Sequence, residues 1–137
     1  MSRSQTVLAL DVGEKRIGVA RGDTAVRLAS PLTTVLADGN EVAAIQKLYK
    51  TEQATQLVVG YPRNQSGEAT QQTAYVEQFV ERLTAVEPLS VVYQDESLTS
   101  VLAEAQLKAH RRPYSKEDID ALAAALILQD YLENAII

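Results

Sequence analysis

Three short apolar runs, each stopped by polar or small residues, most limit what this chain can fold into. Thr6-Val7-Leu8-Ala9-Leu10 stops at Asp11 and Gly13, Leu57-Val58-Val59-Gly60 gives way to a polar loop, and Leu89-Ser90-Val91-Val92-Tyr93 runs up to Asp95-Glu96. A continuous run of this length reads as a buried strand. Between them lie segments with helical spacing. Val42, Ile45, Leu48 and Tyr49 share one stripe, and Val76, Phe79, Val80 and Leu83 recur at i, i+3, i+4 and i+7. A chain that alternates these two periods is an α/β chain.

The remaining elements fit around that frame. Arg16-Ile17-Gly18-Val19-Ala20 follows the first run closely enough to pair with it as a hairpin. Arg27 to Val35 reads as a third strand, and Pro31 within it points to an edge or irregular position. The first helix is expected to start near Asp38, with Asp38 and Glu41 as a capping box. After the last strand, a helix carries Leu98, Val101, Leu102 and Ala105 on its face. A basic link from Lys108 to Lys116 leads to a final helix facing inward through Ile119, Leu122, Ala123 and Leu126. The order is βββαβαβαα. It predicts a five-stranded mixed sheet flanked by helices, with right-handed βα crossovers.

Composition narrows the chemistry. The chain has 137 residues, the length of one domain, so residues 1–137 are read as a single unit. It has no Cys and one His, which removes disulfides, thiolate nucleophiles and Cys or His metal clusters from consideration. A Ser-His-Asp triad would have to use His110, which is isolated and is not assigned as a base. No apolar run approaches the ~20 residues of a membrane span, and residues 1–5 have no signal-peptide character, so a soluble cytoplasmic protein is expected. The net charge of −5 argues against a general nucleic-acid coat protein, whose affinity would rest on many Lys and Arg. It does not argue against an enzyme that touches nucleic acid locally.

Three carboxylates stand at suggestive places. Asp11 ends the first strand, Glu96 ends the last, and Asp120 lies in the second turn of the final helix, on a stripe with Ala124, Ile127 and Tyr131. Ligands of open α/β sheets bind at the carboxyl ends of strands, so Asp11 and Glu96 meet there if their strands are parallel and near. Each has a plainer explanation. An Asp before Gly is often a turn residue, and Asp95-Glu96 would suit a helix N-terminus. Asp118 fits a capping box with Ser115 and is read as structural, whereas Asp120 lies beyond the reach of cap and dipole. A cluster of acids without Cys or usable His suits Mg²⁺ or Mn²⁺. Two such ions about 4 Å apart activate water and stabilise the leaving oxygen in phosphodiester cleavage.

The chain resembles the YqgF family, also called RuvX, in four blocks. Leu10 to Ala20 looks like its opening hairpin, and Val58 to Asn64 with Ser66-Gly67 like its glycine-proline loop. Gln94 to Ser100 looks like its Asp-Glu strand end, and Lys116 to Tyr131 like its last helix. The blocks span nearly the whole chain in order. The resemblance implies a ribonuclease H-like fold and a metal-dependent nuclease acting in 5′-end maturation of pre-16S ribosomal RNA, with the ribosome as a setting. It places the metal-binding, catalytic acids on Asp11, Glu96 and Asp120. An earlier proposal for the family is resolution of Holliday junctions. Two departures stand out: Ser97 occupies the place of the family's usual Arg, and Tyr61 stands where Leu is common, a change expected to be harmless.

Supporting residues are expected to contact nucleic acid: Lys15 and Arg16 on the turn beside Asp11, Arg63 and Asn64 in the loop after Gly60, and Arg111, Arg112 and Lys116 in the basic link. Tyr114 is placed to stack on an unpaired base. The plain alternative for each charge is a solvated surface. Gly13 and Gly18 are expected to ease the hairpin, while Thr99 and Ser100 suit helix capping.

The leading expectation is a hydrolase of RNA phosphodiesters, as a monomer or homodimer. The alternatives are a resolvase of branched DNA, which would need a dimer for symmetric cutting, and a non-catalytic RNA- or ribosome-binding module. Clustered carboxylates weigh against the last. An actin-like sugar kinase also begins with Asp-x-Gly in a hairpin, but this chain is too short for its two-domain cleft.

Overall fold

A computed structural model describes residues 4–64, 66–96, 99–109 and 114–134, with the side chains of 96 and 99–101 outside the description. Strands β1 (Thr6–Val12), β2 (Arg16–Asp23) and β3 (Ala29–Leu36) form an antiparallel meander. Helix α1 (Glu41–Thr51) leads to β4 (Ala54–Pro62), and α2 (Gln71–Val86) leads to β5 (Val91–Glu96). Helices α3 (Thr99–Ala109) and α4 (Lys116–Asn134) follow. The sheet order is β3-β2-β1-β4-β5, with β4 parallel to both β1 and β5. The expected order and the mixed sheet are both present.

Strand alternation divides β1 between two cores. Leu8, Leu10 and Val12 join Ile17, Val19, Leu57, Val59 and the α1 and α2 residues Ile45, Val76, Phe79 and Leu83. Val7 and Ala9 face the other way, with Ala20, Val58 and the α4 residues Ala124, Ile127, Leu128 and Leu132. Both faces of the central strands are therefore covered, which is why their sequences are unbroken apolar runs. Phe79 is 1% exposed, and truncation to Ala would cost about 3–5 kcal/mol.

α4 lies close over β2 because β2 offers it small residues. A β-carbon on Gly18 would overlap the Asp120 carbonyl and come within 2.9 Å of the Ala121 nitrogen. A β-carbon on Gly22 would meet Leu128 and Leu132 at 2.9 Å. α4 thus runs alongside β2 in the same direction. Gly18 is needed for helix approach rather than for easing the hairpin, a role that falls to Gly13, whose N–H donates to the Arg16 carbonyl at 3.0 Å.

β3 is the edge strand expected from Pro31, and the register with β2 slips between Val19 and Ala20, where Pro31 faces Ala20. Three expectations need correction. α4 enters the sheet-side core through Ala124, Ala125, Ile127, Leu128 and Leu132, whereas of Ile119, Leu122, Ala123 and Leu126 only Ala123 is buried. Asp38 and Glu41 do not form a capping box. The N-cap is Asn40, without a side-chain cap hydrogen bond. Asp38 accepts from the Asn40 N–H at 3.0 Å and Glu41 from the Gly39 N–H at 2.8 Å, so both carboxylates serve the turn through Gly39. Of the face expected for α3, Leu98 and the Val101 side chain lie outside the described residues, Leu102 is 54% exposed and Ala105 is exposed, while Ala103 is buried. This helix packs on α4 rather than on the sheet, and a helix neighbour selects a small residue for close approach. The cap of α4 is as expected: Ser115 N–H donates to Asp118 at 2.9 Å and Asp118 N–H to the Ser115 hydroxyl at 3.3 Å.

Candidate active site

Asp11 is the penultimate residue of β1, half-buried and directly paired with Gly18. By alternation it follows Val7 and Ala9 onto the α4 face. Gly18 shares that face and carries the backbone of Asp120. The missing side chain at Gly18 is therefore what lets the second acid come down beside the first. Two carboxylates separated by more than one hundred residues are brought to one end of the sheet by one glycine.

The Asp120 side chain is 19% exposed and accepts from Arg16 Nε at 2.5 Å. Arg16 reaches it because residues 16, 18, 20 and 22 share the α4 face. The hydrogen bond and charge of Asp120 push the Arg16 pKa up, so the guanidinium is a fixed cation. Asp120 thus holds a positive group in the folded protein. A cleft of about 390 Å³ opens here, lined by Gly13, Glu14, Lys15, Arg16, Gln72 and Asp120. Gln72, in the first turn of α2, donates to the Val12 carbonyl at 3.0 Å and ties that helix to the end of β1. Sequence spacing carries no signal for Gln72, because the link crosses from one face of the sheet to the turn.

Glu96 is the last residue of β5 and lies in register with Pro62 at the end of β4. Its side chain lies outside the described residues. Among the described residues no group of three acids converges, and the described part of the constellation is Asp11 with Asp120. The oxygen donors of these two, and the cation already seated on Asp120, fit a hard divalent ion.

The basic candidates divide. Lys15 and Arg16 line the acid cleft, and Lys116 is exposed at the start of α4. Arg63 does not line that cleft; it lies 3.6 Å from Asp95 with its guanidinium 5.0 Å from the centre of the Tyr61 ring. Asn64 shapes its own loop, accepting from the N–H groups of Ser66 at 3.0 Å and Glu68 at 2.8 Å. Arg111 and Arg112 lie outside the described residues, as does His110. Tyr114 is half-buried and its hydroxyl donates to Glu104 at 3.4 Å.

The sheet order, the helix laid over β2 and the acid at the end of the central strand define a protein of the ribonuclease H-like class. Solved structures agree at the level of fold. Thermus thermophilus RuvC in complex with a Holliday junction substrate superposes with a TM-score of 0.58 at 17% identity, covering 94% of this chain and 95% of that one. The fowlpox virus Holliday junction resolvase gives 0.56 at 11% identity, covering 95% and 99%. Within the class, the chain belongs to the RuvX family, whose model, described as Holliday junction resolvase, matches residues 5–134. Relatives bearing the name “Putative pre-16S rRNA nuclease” include one from Chloroflexus aggregans, 45% identical over 133 residues and 94% of both chains. Another, from Dechloromonas aromatica, is 47% identical over 94% of this chain and 91% of its own. No described helix is long and apolar enough to cross a membrane.

Proposed function

We propose that this protein is a divalent-metal-dependent nuclease that hydrolyses RNA phosphodiesters in 5′-end maturation of pre-16S ribosomal RNA, with residues 1–137 as one catalytic domain. The placement of Asp120 on Gly18, opposite Asp11, carries the reading. Neither burial nor capping accounts for a second acid at that spot.

Asp11 and Asp120, with Glu96 as the third acid, would hold Mg²⁺ or Mn²⁺. A bound ion there supplies water activation at neutral pH and neutralises charge on the phosphate. The chain's own residues do the rest. Lys15 and Arg16 present positive charge at the mouth of the acid cleft and draw the backbone phosphate in, against the net negative charge of the molecule. Gln72 fixes the end of β1, and with it Asp11, against α2. Arg63, Asn64, Arg111, Arg112 and Lys116 extend the contact to the rest of the nucleic acid. Water attacks phosphorus, one P–O bond breaks, and the departing oxygen takes a proton.

The second reading is a resolvase of four-way DNA junctions, favoured by the description of the family model and by the two solved resolvases. It requires a homodimer to place two sites on opposed strands.

One gel series separates them. Wild-type protein and Asp11→Asn are incubated with a 5′-extended 16S RNA fragment and with a DNA four-way junction, in Mg²⁺, in Mn²⁺ and in EDTA. Cutting of the RNA that needs metal and is lost in Asp11→Asn is the expected result. Cutting of the junction alone would replace the RNA reading with the resolvase. An unchanged rate in Asp11→Asn would remove Asp11 from the machinery.

A further inference from the structure

Tyr61 was expected to be a harmless replacement, yet it forms part of a structure of its own. Leu57 and Val59 on β4 point into the α2-side core, and Tyr61 continues that alternation beyond it. Val91 on β5 packs against the same core, and Tyr93 follows two residues on. The strands are parallel and neighbouring, so the two rings meet with centres 4.8 Å apart and planes inclined by 57°. The Arg63 guanidinium caps the Tyr61 ring at 5.0 Å. Tyr93 is 41% exposed. An open cleft of about 510 Å³ surrounds the group, lined by Tyr61, Arg63, Tyr93, Gln94 and Asp95.

We propose that Tyr61, Tyr93 and Arg63 form a stacking site for an unpaired base of single-stranded RNA next to the scissile position. This rests on the RNA-nuclease reading above and names where the unpaired part of that substrate goes. Aromatic rings and guanidinium planes bind bases of any sequence, because every base has a π-face. The surrounding charges select the base rather than the phosphate. Glu77 and Glu81 on α2 act on Tyr93 from the helix side, and Asp95 stands at the other side with its side chain 75% exposed. Phosphate is repelled from such a rim, whereas a neutral base is not, and its N–H groups find an acceptor in Asp95. Among the described residues lining the cleft, Arg63 is the cation, next to the ring it covers.

Position supports the same assignment. β1, β4 and β5 are parallel and end at one edge of the sheet, with Leu10 level with Val59 and Val59 level with Tyr93. Asp11 faces α4 while Tyr61 and Tyr93 face α2. The acid site and the stacking site thus lie on opposite faces of one sheet edge, one to two strand spacings (about 5–10 Å) apart along it. A strand crossing that edge can reach both.

The test measures binding with Asp11→Asn protein in Mg²⁺, so that the RNA stays intact. Its two ligands are a fluorescent RNA hairpin with a 5′ single-stranded extension and the same hairpin with a blunt end. Tyr93→Ala is added to the Asp11→Asn background, with Tyr93→Leu, which keeps apolar bulk, and Tyr93→Phe, which keeps the ring. Ala and Leu should each raise Kd for the extended RNA at least fivefold and leave the blunt hairpin within twofold, while Phe stays within twofold for both. A 2-aminopurine in the extension should be quenched on binding, and the quench should vanish with Leu. Equal weakening of both RNAs, or no weakening of the extended one, would overturn the stacking site. If wild-type protein cuts the extended RNA in either case, the nuclease reading survives. If wild-type protein neither binds nor cuts it, both fall.

Discussion

The backbone of Asp120 rests on Gly18 so closely that no side chain fits between them. Gly18 is also the residue paired with Asp11. The consequence for the site is direct, because the depth of α4 over β2 sets where the second carboxylate stands.

Gly18→Ala should therefore act on stability and activity together. The obstacle is helix backbone, which cannot turn aside as a flexible side chain would. Forcing the helix outward should cost about 1–3 kcal/mol, read from the urea midpoint. Metal-dependent cleavage should fall at least tenfold even where the protein is fully folded. A variant with wild-type stability and rate would show that α4 has slack over β2.

Arg16 occupies the Asp120 carboxylate at 2.5 Å, so a metal ion and the guanidinium compete for the same oxygen. Arg16→Ala should lower the melting temperature in EDTA, because the Asp120 carboxylate loses its partner. The Mn²⁺ concentration giving half of the thermal shift should drop, because no cation has to be displaced. Cleavage should nevertheless weaken through loss of the phosphate contact. Identical Mn²⁺ midpoints in the two proteins would dissociate Arg16 from the metal site.

The Glu41 carboxyl is held below its ordinary value of 4.5 by its own backbone N–H, by that of Gly39 and by Arg82, whose Nη1 lies 3.5 Å away. Asp23 is likewise held low, by the Ser4 hydroxyl and the N–H groups of Val26 and Ala25. A lowered folded-state pKa stabilises the protein above the unfolded value, and the gain disappears as pH falls through the folded one. Glu41→Gln should therefore be less stable than wild type at pH 7, and the gap should close below about pH 4.5. Urea midpoints across pH 3–7 would reveal it, and a gap that stays constant with pH would exclude the carboxylate as its source.

Thr73 is fully buried at the start of α2. Its hydroxyl donates to the Pro62 carbonyl and accepts from the Thr70 N–H at 2.9 Å, while Thr70 caps the helix in return. Thr73→Val keeps the shape and strands both partners, which should cost about 1–3 kcal/mol. Thr73→Ser should recover most of it in equilibrium denaturation. Equal stability of Val and wild type would mean that water replaces the lost contacts.

The strands were legible because burial on both faces leaves an unbroken apolar run, as in Val7–Leu10 and Leu57–Val59. The α2 stripe and the Ser115–Asp118 cap were legible because both depend on neighbours within one or two turns. Asp120 stood out for a local reason too: it lies past the reach of the cap. The α3 face departs from expectation at Leu102 and Ala105 because the partner of α3 is a helix that accepts Ala103. The capping box at Asp38 failed because Gly39 bends the chain before the helix begins. Tyr61 looked incidental because its partner, Tyr93, is on another strand.

The sequence by itself determined the order of elements and the mixed sheet and singled out the candidate acids, since these follow from periodicity, breaks and residue chemistry along the chain. Only the tertiary structure decided which residues meet. The backbone of Asp120 lies over the residue paired with Asp11 because β1 and β2 are antiparallel neighbours and because Gly18 leaves α4 room to descend. Arg16 turns from a surface charge into the partner of Asp120 by lying on the same face of β2. Two tyrosines become one site through strand register. Contacts of this kind join residues about thirty to one hundred apart, where no local preference of the chain can announce them.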